Sequence, residues 1–189
     1  MRRGVPRRCP PTYRSGMTEP AAPHELAQVN IARLRAPLDS PLLKDFVDAL
    51  DPVNAVADSS DGFVWRLQSD SGNATDVAVL GDEWLIVNMS VWRDTGALTA
   101  FMYQGRHREL LARRREWFEH VREAMTVLWW VPAGHRPTVA EAEERLLHLR
   151  AHGATAHAFT LRTPFPPGAA GPLPLPVDPA GGAAAQPAG

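Results

Sequence analysis

The stretch WLIVNMSVW, residues 84–92, combines the pattern of a β-strand with side chains that could bind a ligand. With a period of two, one side carries Leu, Val, Met and Val, as the core-facing side of a strand does. The other side carries Asn88 and Ser90 between Trp84 and Trp92. That side is too bulky to face only water and too polar for an ordinary core, so we expect a functional site there. The alternative is that the amides and hydroxyls satisfy one another inside a packed core.

Arg114 lies on an apolar stripe of the helix predicted after this strand. The stripe is formed by residues at positions i, i+4, i+7 and i+11: His107, Leu111, Arg114 and Phe118. A buried guanidinium needs a carboxylate, carbonyl groups or a bound anion, because an unpaired buried charge is strongly destabilising. An ion pair with Asp45, Asp48 or Glu116, or packing of the aliphatic stem, would make Arg114 structural instead.

Two further polar residues could serve the same site. His107 is the acid–base candidate of the chain, because the pKa of a histidine lies near neutrality. Its alternative role is that of a hydrogen-bonded histidine at the start of a helical segment. Asn54 lies on the apolar side of an earlier predicted helix, and it is either a capping partner near Asp51 and Pro52 or a residue of the site.

Composition excludes several classes of protein. The chain has 189 residues, of which 44% are hydrophobic and 22% charged, as in one ordinary globular domain. A net charge of −1 gives no basic surplus for nucleic acid, and no apolar run approaches membrane-spanning length. A single cysteine, Cys9, excludes an internal disulfide and fits a reducing compartment, so we expect a cytoplasmic protein.

The two ends differ from the middle of the chain. Residues 1–23 hold arginines without a following apolar segment, and we expect a disordered arm whose true start is either Met1 or Met17. Residues 167–189 are mostly Pro, Gly and Ala, a composition that predicts a second disordered arm. We expect the folded domain to span residues 24–166.

Within that domain, strands and helices alternate. Periodicity and turn residues predict strands at 25–34, 62–70, 84–92, 125–135 and 157–165, and helices at 39–58, 95–121 and 138–152. We expect Ser40 to cap the first helix and Pro52 to end its first segment. A break is expected near Gly105, whereas a capping box at Thr138 and a stop at Gly153 bound the last helix.

The order β-α-β-β-α-β, followed by an extra α-β, predicts an α+β fold of the ferredoxin-like, split βαβ type. In this arrangement the helices cover one face of an antiparallel sheet and leave the other face bare. A bare face rich in Val, Leu, Ile and Met would expose a large apolar patch, which monomers rarely do. We therefore predict a homodimer in which two sheets pack face to face.

Several longer motifs resemble a known bacterial family. These motifs are HELAQVNIARLRAPLDSP, GFVWRLQ, VNMSVW, RRREWF, VLWWVPAGH and TPFPP, spread from His24 to Pro167. They resemble domain-of-unknown-function family 3291, which is itself similar to the dimeric α+β barrel superfamily of the antibiotic-biosynthesis-monooxygenase type. That superfamily includes cofactor-free monooxygenases, polyketide cyclases, isomerases, haem-degrading monooxygenases and structural modules, so the fold does not select a reaction.

The resemblance implies a ligand cleft between the sheet and the helices. Residues expected to line or wall this cleft are Gln28, Asn30, Asn54, Trp84, Asn88, Ser90, Trp92, Phe101 and Trp129 or Trp130. The expected ligand is an apolar, oxygenated small molecule such as a polyketide or aromatic metabolite. Asn30, Asn88 and Arg114 would stabilise an enolate or phenolate, and His107 would move the proton. The alternative is a noncatalytic binding protein or structural dimer in which these groups only satisfy one another.

We expect no cofactor, and haem is the alternative. Haem-degrading relatives combine a strand Asn, a helix Trp and a helix His, and the resemblance places Asn30, Phe101 and Leu111 at these positions. His107, one turn from Leu111, is the remaining candidate ligand for iron. No GxGxxG follows a predicted strand and there is no GxSxG, which argues against dinucleotide binding and serine esterase chemistry. We assign no metal site to the chain.

Overall fold

The structure is a computed structural model, and it describes residues 23–103 and 105–169. Its strands are β1 (His24–Arg33), β2 (Phe63–Arg66), β3 (Leu85–Trp92) and β4 (Thr126–Pro132). Its helices are α1 (Lys44–Asp58), α2 (Thr95–Tyr103), α3 (Gly105–Trp117) and α4 (Val139–His152). Most of the two predicted arms, residues 1–22 and 170–189, lies outside the described residues. No helix in the described ranges is long and apolar enough to cross a membrane.

The four strands form one antiparallel sheet in the order β2-β3-β1-β4. This is the strand order of a split βαβ unit, and it confirms the predicted α+β, ferredoxin-like class. The two central strands, β1 and β3, pair so that Gln28 lies opposite Ser90 and Asn30 lies opposite Asn88. Because side chains alternate along a strand, all four point to the same face of the sheet.

Both faces of the sheet are covered by the same chain. Residues of α1, α2 and α3 pack on the face that carries Asn88, which we call the helix face. On the opposite face, α4 packs Leu146 and Leu149 against Val29 and Met89, and the connection between β2 and β3 adds Val79. The expectation of a bare apolar face is therefore wrong, since the extra helix buries it. An exposed apolar sheet face therefore no longer supports the homodimer, which stays a prediction.

Helix α1 differs from its predicted course. It begins at Lys44, because Ser40 and the following residues form a turn in which Leu43 N donates to Ser40 O at 3.1 Å. The helix then runs through Pro52 without a second start. Phe46 and Ala57, on either side of Pro52, pack into separate parts of the core, and this packing holds the helix together despite the missing N–H donor.

Other boundaries follow the sequence more closely. The break between α2 and α3 falls at Gly105, whose φ of 45° lies in the left-handed region. Helix α4 is capped at its N-terminus by Thr138, whose side chain accepts a hydrogen bond from Glu141 N, and Gly153 caps its C-terminus. The predicted last strand contacts the sheet through one bridge, in which Leu128 and Phe159 exchange two backbone hydrogen bonds of 2.8 Å.

Candidate active-site cleft

A row of polar side chains crosses the middle of the helix face. Asn30 and Asn88 lie opposite each other on the two central strands, and both side chains are exposed. The central strands of a sheet with helices on this face are normally the best-covered part of a fold. Exposure of both asparagines therefore leaves this part of the helix face open to solvent, and we call this opening the cleft.

Hydrogen bonds order this row. Gln28 is 9% exposed, and its Nε2 donates to Asn88 Oδ1 at 3.1 Å and to Ser90 Oγ at 3.0 Å. Ser90 Oγ also accepts from the indole Nε1 of Trp92 at 2.9 Å. Both acceptor positions of the Ser90 hydroxyl are thus used, so its O–H remains as a donor.

The two asparagines keep polar groups for a ligand. Asn30 Nδ2 donates to Thr126 Oγ1 at 2.6 Å, which fixes the amide at the side of β4. Among the described residues, the Nδ2 group of Asn88 and the Oδ1 atom of Asn30 have no protein partner. The row therefore offers N–H donors from Asn88 and an acceptor from Asn30 side by side.

Apolar side chains close the cleft at both ends. At the first end, the core of the helix face is formed by Leu26, Trp92, Ala97, Leu98, Leu128 and Phe159. At the second end, it is formed by Leu34, Leu43, Ile86 and Trp117. The polar row lies between these two clusters, because Gln28 and Asn30 separate Leu26 from Leu34 along β1. A ligand in the cleft would therefore meet apolar walls and a polar floor.

His107 lies at the first end of the cleft. Its Nδ1 is 3.1 Å from the carbonyl oxygen of Met102, which fixes Nδ1 as the protonated nitrogen. Burial lowers the pKa of His107 below its ordinary value, against a smaller opposing effect of the Met102 carbonyl. The imidazole is therefore neutral at pH 7, with the lone pair of Nε2 ready to accept a proton.

Two aromatic rings connect His107 to the polar row. Phe101 packs on His107 with ring centroids 4.6 Å apart, and it stacks on Trp92 at 5.0 Å and 27°. Trp92 in turn donates to Ser90. Phe101 and Trp92 therefore lie next to the row, and Trp92 is only 1% exposed.

The prediction of a buried Arg114 is wrong. Its side chain is exposed on α3, whereas the neighbouring Arg113 makes ion pairs with Asp45 and Glu116 at 2.8 Å each. The Arg113 guanidinium also lies 4.8 Å from the ring of Trp117. His107, Leu111 and Arg114 all lie within α3, but Trp117 is the buried residue of this helix and Arg114 reaches solvent.

Three other predicted cleft residues lie elsewhere. Trp129 is buried on the opposite face of the sheet, where its Nε1 donates to Glu141 Oε1 at 3.0 Å. Asn54 donates to Asn73 Oδ1 at 2.6 Å and thereby joins α1 to the β2–β3 connection. Trp84 precedes β3 and is 37% exposed, beyond the second apolar cluster.

One residue of the row was missed. Thr126 holds Asn30, and the period of two in TVLWWVP places Thr126 on the same side of β4 as Leu128 and Trp130. This pattern could have identified Thr126. It also selects Trp130, the expected alternative to Trp129, and Trp130 Nε1 donates to Phe165 O at 2.7 Å on the helix face. Trp130, rather than Trp129, is the indole of β4 on the cleft side.

The residues do not fit a haem. Leu111, at the position implied for the axial ligand, has no donor atom. Phe101, at the position implied for the tryptophan, has no N–H donor and packs directly on the His107 ring with centroids 4.6 Å apart. We therefore propose no role for haem in the cleft.

Comparison with known families gives one match. Residues 25–172 match the family described as "Domain of unknown function (DUF3291)". No curated protein matches the chain.

Comparison with solved structures gives matches at low similarity. A conserved protein from Methanosarcina mazei Go1 is 11% identical with a TM-score of 0.41, and the match covers 58% of this chain and 93% of that one. SnoaB, a cofactor-independent oxygenase from Streptomyces nogalater, is 17% identical with a TM-score of 0.37, and 60% and 95% of the two chains are covered. Rv0793 from Mycobacterium tuberculosis is 12% identical with a TM-score of 0.39, over 60% and 99%. No activity follows from similarity at this level.

Proposed function

The chain belongs to the DUF3291 family, and we propose that it is a cofactor-independent enzyme acting on an apolar, oxygenated metabolite in the cleft of the helix face. The substrate class is a polyketide or polycyclic phenol, and the reaction is a monooxygenation, cyclisation or isomerisation. These three reactions share a first step, in which a proton leaves an acidic C–H or O–H group and an enolate or phenolate forms.

One observation carries the proposal, namely the exposed pair Asn30 and Asn88 at the centre of a sheet that is otherwise covered on this face. Among the described residues, each amide bonds to the protein through one atom only, so each keeps a polar group for a ligand. Here the pair is open, and apolar clusters stand at both ends of the row.

The geometry supports a division of roles. Nε2 of His107 accepts the proton, because burial keeps this imidazole neutral and Met102 fixes its tautomer. The N–H groups of Asn88 and the hydroxyl of Ser90 donate to the substrate oxygen on which negative charge develops. Gln28 orients both of these groups through its two hydrogen bonds, so it acts as a positioning residue.

The binding step is tested with Asn88→Asp. This change keeps an oxygen that accepts from Gln28, but it replaces the N–H donors by a negative charge that repels a phenolate. We expect affinity for polycyclic phenols, measured by tryptophan fluorescence and native mass spectrometry, to fall at least about tenfold. The exposed Arg114→Ala is the control and should leave affinity unchanged. Equal binding by wild type and Asn88→Asp would refute the proposed oxyanion site.

Gln28 and Trp92 both donate hydrogen bonds to Ser90 Oγ. These bonds within the protein favour a second candidate function, that of a binding protein without turnover. His107→Gln separates the two candidates once a ligand is found. An enzyme would lose turnover and retain binding, whereas a binding protein would show no ligand conversion in either form.

The homodimer and the cytoplasmic location also remain proposals. Any dimer would use a surface other than the α4-covered sheet face; exposed apolar side chains in and just before α1 are Leu42, Val47 and Val56. Light scattering of the full chain measures the oligomeric state directly.

A further inference from the structure

A second group of chemically competent residues lies on the outer side of α4, away from the cleft. Glu144, His148 and His152 follow one another at intervals of four residues, so they share one side of the helix. The buried side of the same helix carries Leu146 and Leu149. The same spacing is visible in the sequence, but no metal site was predicted from it.

A fourth residue reaches this surface from outside the helix. His157 lies five residues after the end of α4, and its Nε2 is 2.8 Å from Glu144 Oε1. Its ring centroid is 4.7 Å from that of His148, which is itself 4.6 Å from that of His152. One potential ligand atom from each of Glu144, His148 and His157 lies within 4.8 Å of the other two.

We propose that Glu144, His148 and His157 bind a divalent transition-metal ion of the zinc type. Two imidazoles and one carboxylate form a ligand set that suits Zn²⁺ and disfavours Mg²⁺ or Ca²⁺, which prefer oxygen atoms. Ligand atoms about 2.1 Å from a tetrahedral ion lie roughly 3.4 Å apart. A separation as wide as 4.8 Å has to close toward this value, whereas Glu144 Oε1 and His157 Nε2, which are 2.8 Å apart, have to open slightly. His152 stands next to His148 and can provide the fourth ligand.

Arg145 supports this assignment because it brings a cation to the same donors. Its Nη1 contacts the His157 ring and lies 3.3 Å from the His157 carbonyl oxygen, and its Nε is 3.4 Å from Glu144 Oε2. The donor set thus already attracts positive charge. A bound ion would repel this guanidinium, which has to turn aside.

Metal binding here would fasten the chain that follows α4. His157 is two residues before Phe159, which forms the bridge to Leu128 at the free edge of β4. Coordination of one ion by Glu144 and His148 of α4 and by His157 would hold this bridge in place. Because a ligand that binds only the folded state stabilises it, zinc should raise the melting temperature.

The test is a titration of the full chain with Zn²⁺ by calorimetry and thermal unfolding. At a hundredfold excess of free Zn²⁺ over Kd, we expect the melting temperature of wild type to rise by about 5 °C or more. His148→Gln and His157→Gln should each weaken binding at least about tenfold, since each removes one ligand. Arg145→Gln should tighten binding several-fold, because it removes a competing cation.

The matched controls are His120→Gln, at an exposed histidine after α3, and Cys9→Ser, both of which should bind zinc like wild type. Imidazole NMR signals of wild type give a second measurement that needs no variant: zinc should shift the signals of His148 and His157 and leave that of His120. Binding that survives both ligand substitutions, loss of binding in either control, or unshifted His148 and His157 signals would overturn the proposal. The site is on the opposite side of the sheet from the cleft, so its failure leaves the proposed function untouched.

Discussion

Asn30 and Asn88 show how single side chains give the helix face its chemistry. Each uses one amide atom to hold a neighbour, Thr126 or Gln28, and keeps the other atom for the cleft. This is an economical arrangement, because the bond to a neighbour fixes the rotamer while the remaining group stays available. Gln28, which is buried, instead uses its Nε2 group to hold both Asn88 and Ser90.

The pKa of His107 predicts a pH dependence of stability. Its folded-state pKa lies below the unfolded value of about 6.5, because burial disfavours the imidazolium form. Above pH 6.5 both states are neutral; as the pH falls below this value, the unfolded state takes up a proton first and the fold loses stability until the folded-state pKa is passed. We expect wild type to lose more unfolding free energy than His107→Gln between pH 8 and pH 5.

Urea unfolding at the two pH values measures this difference, which amounts to about 1.4 kcal/mol for each unit by which the two pKa values differ. Other histidines titrate in both proteins, so the difference between them isolates His107. Identical losses would mean that His107 is as accessible to protons in the folded state as in the unfolded one.

Among the elements, α2 packs close to the start of β2 because the residue at the contact is a glycine. Gly62 has a φ of 77°, and a Cβ placed on it would lie 2.6 Å from Ala97 Cβ. Its carbonyl accepts from Arg93 N at 2.7 Å, so the backbone cannot shift freely. The position of α2, and with it Phe101 over Trp92, depends on this close approach.

Gly62→Ala should therefore destabilise the protein by about 2–4 kcal/mol, combining backbone strain with a steric clash. Gly72→Ala is the matched control: its φ is 84°, but a Cβ there would have no neighbour within 4 Å. The control should cost only the strain, about 1–2 kcal/mol. Equal losses in urea unfolding would show that α2 moves away without cost.

At the scale of the whole molecule, the described residues form three layers, with α1–α3 on one face of the sheet and α4 on the other. The layer formed by α4 makes the apolar sheet face part of a single-chain core. Leu146 is 1% exposed within it, whereas Leu147, the next residue, is 51% exposed. This pair allows the coverage of the sheet to be tested in solution.

Leu146→Ala should lower the free energy of unfolding by about 2–5 kcal/mol, because it leaves a cavity between α4 and the sheet. Leu147→Ala should change it by no more than about 0.5 kcal/mol. Denaturant unfolding of both variants provides the measurement. If Leu146→Ala were as harmless as Leu147→Ala, the sheet face would have to be covered by something other than α4.

The sequence by itself determined the four strands of the sheet, the helix α4 with its caps at Thr138 and Gly153, the break at Gly105 and the ferredoxin-like order of elements. These features depend on local chemistry, namely alternation, capping and backbone freedom, which neighbouring residues encode. The period of two also identified Gln28, Asn30, Asn88 and Ser90 as one polar side.

Only the tertiary structure decided which surfaces meet. It placed α4 over the apolar face, turned Trp129 away from the cleft, and exposed Arg114 while pairing Arg113. It also brought His157 back to Glu144 and His148 across a loop. The physical reason is that packing between distant segments depends on how whole elements are oriented, and a rotation of one residue, about 100° on a helix, is enough to move a side chain from the core to water.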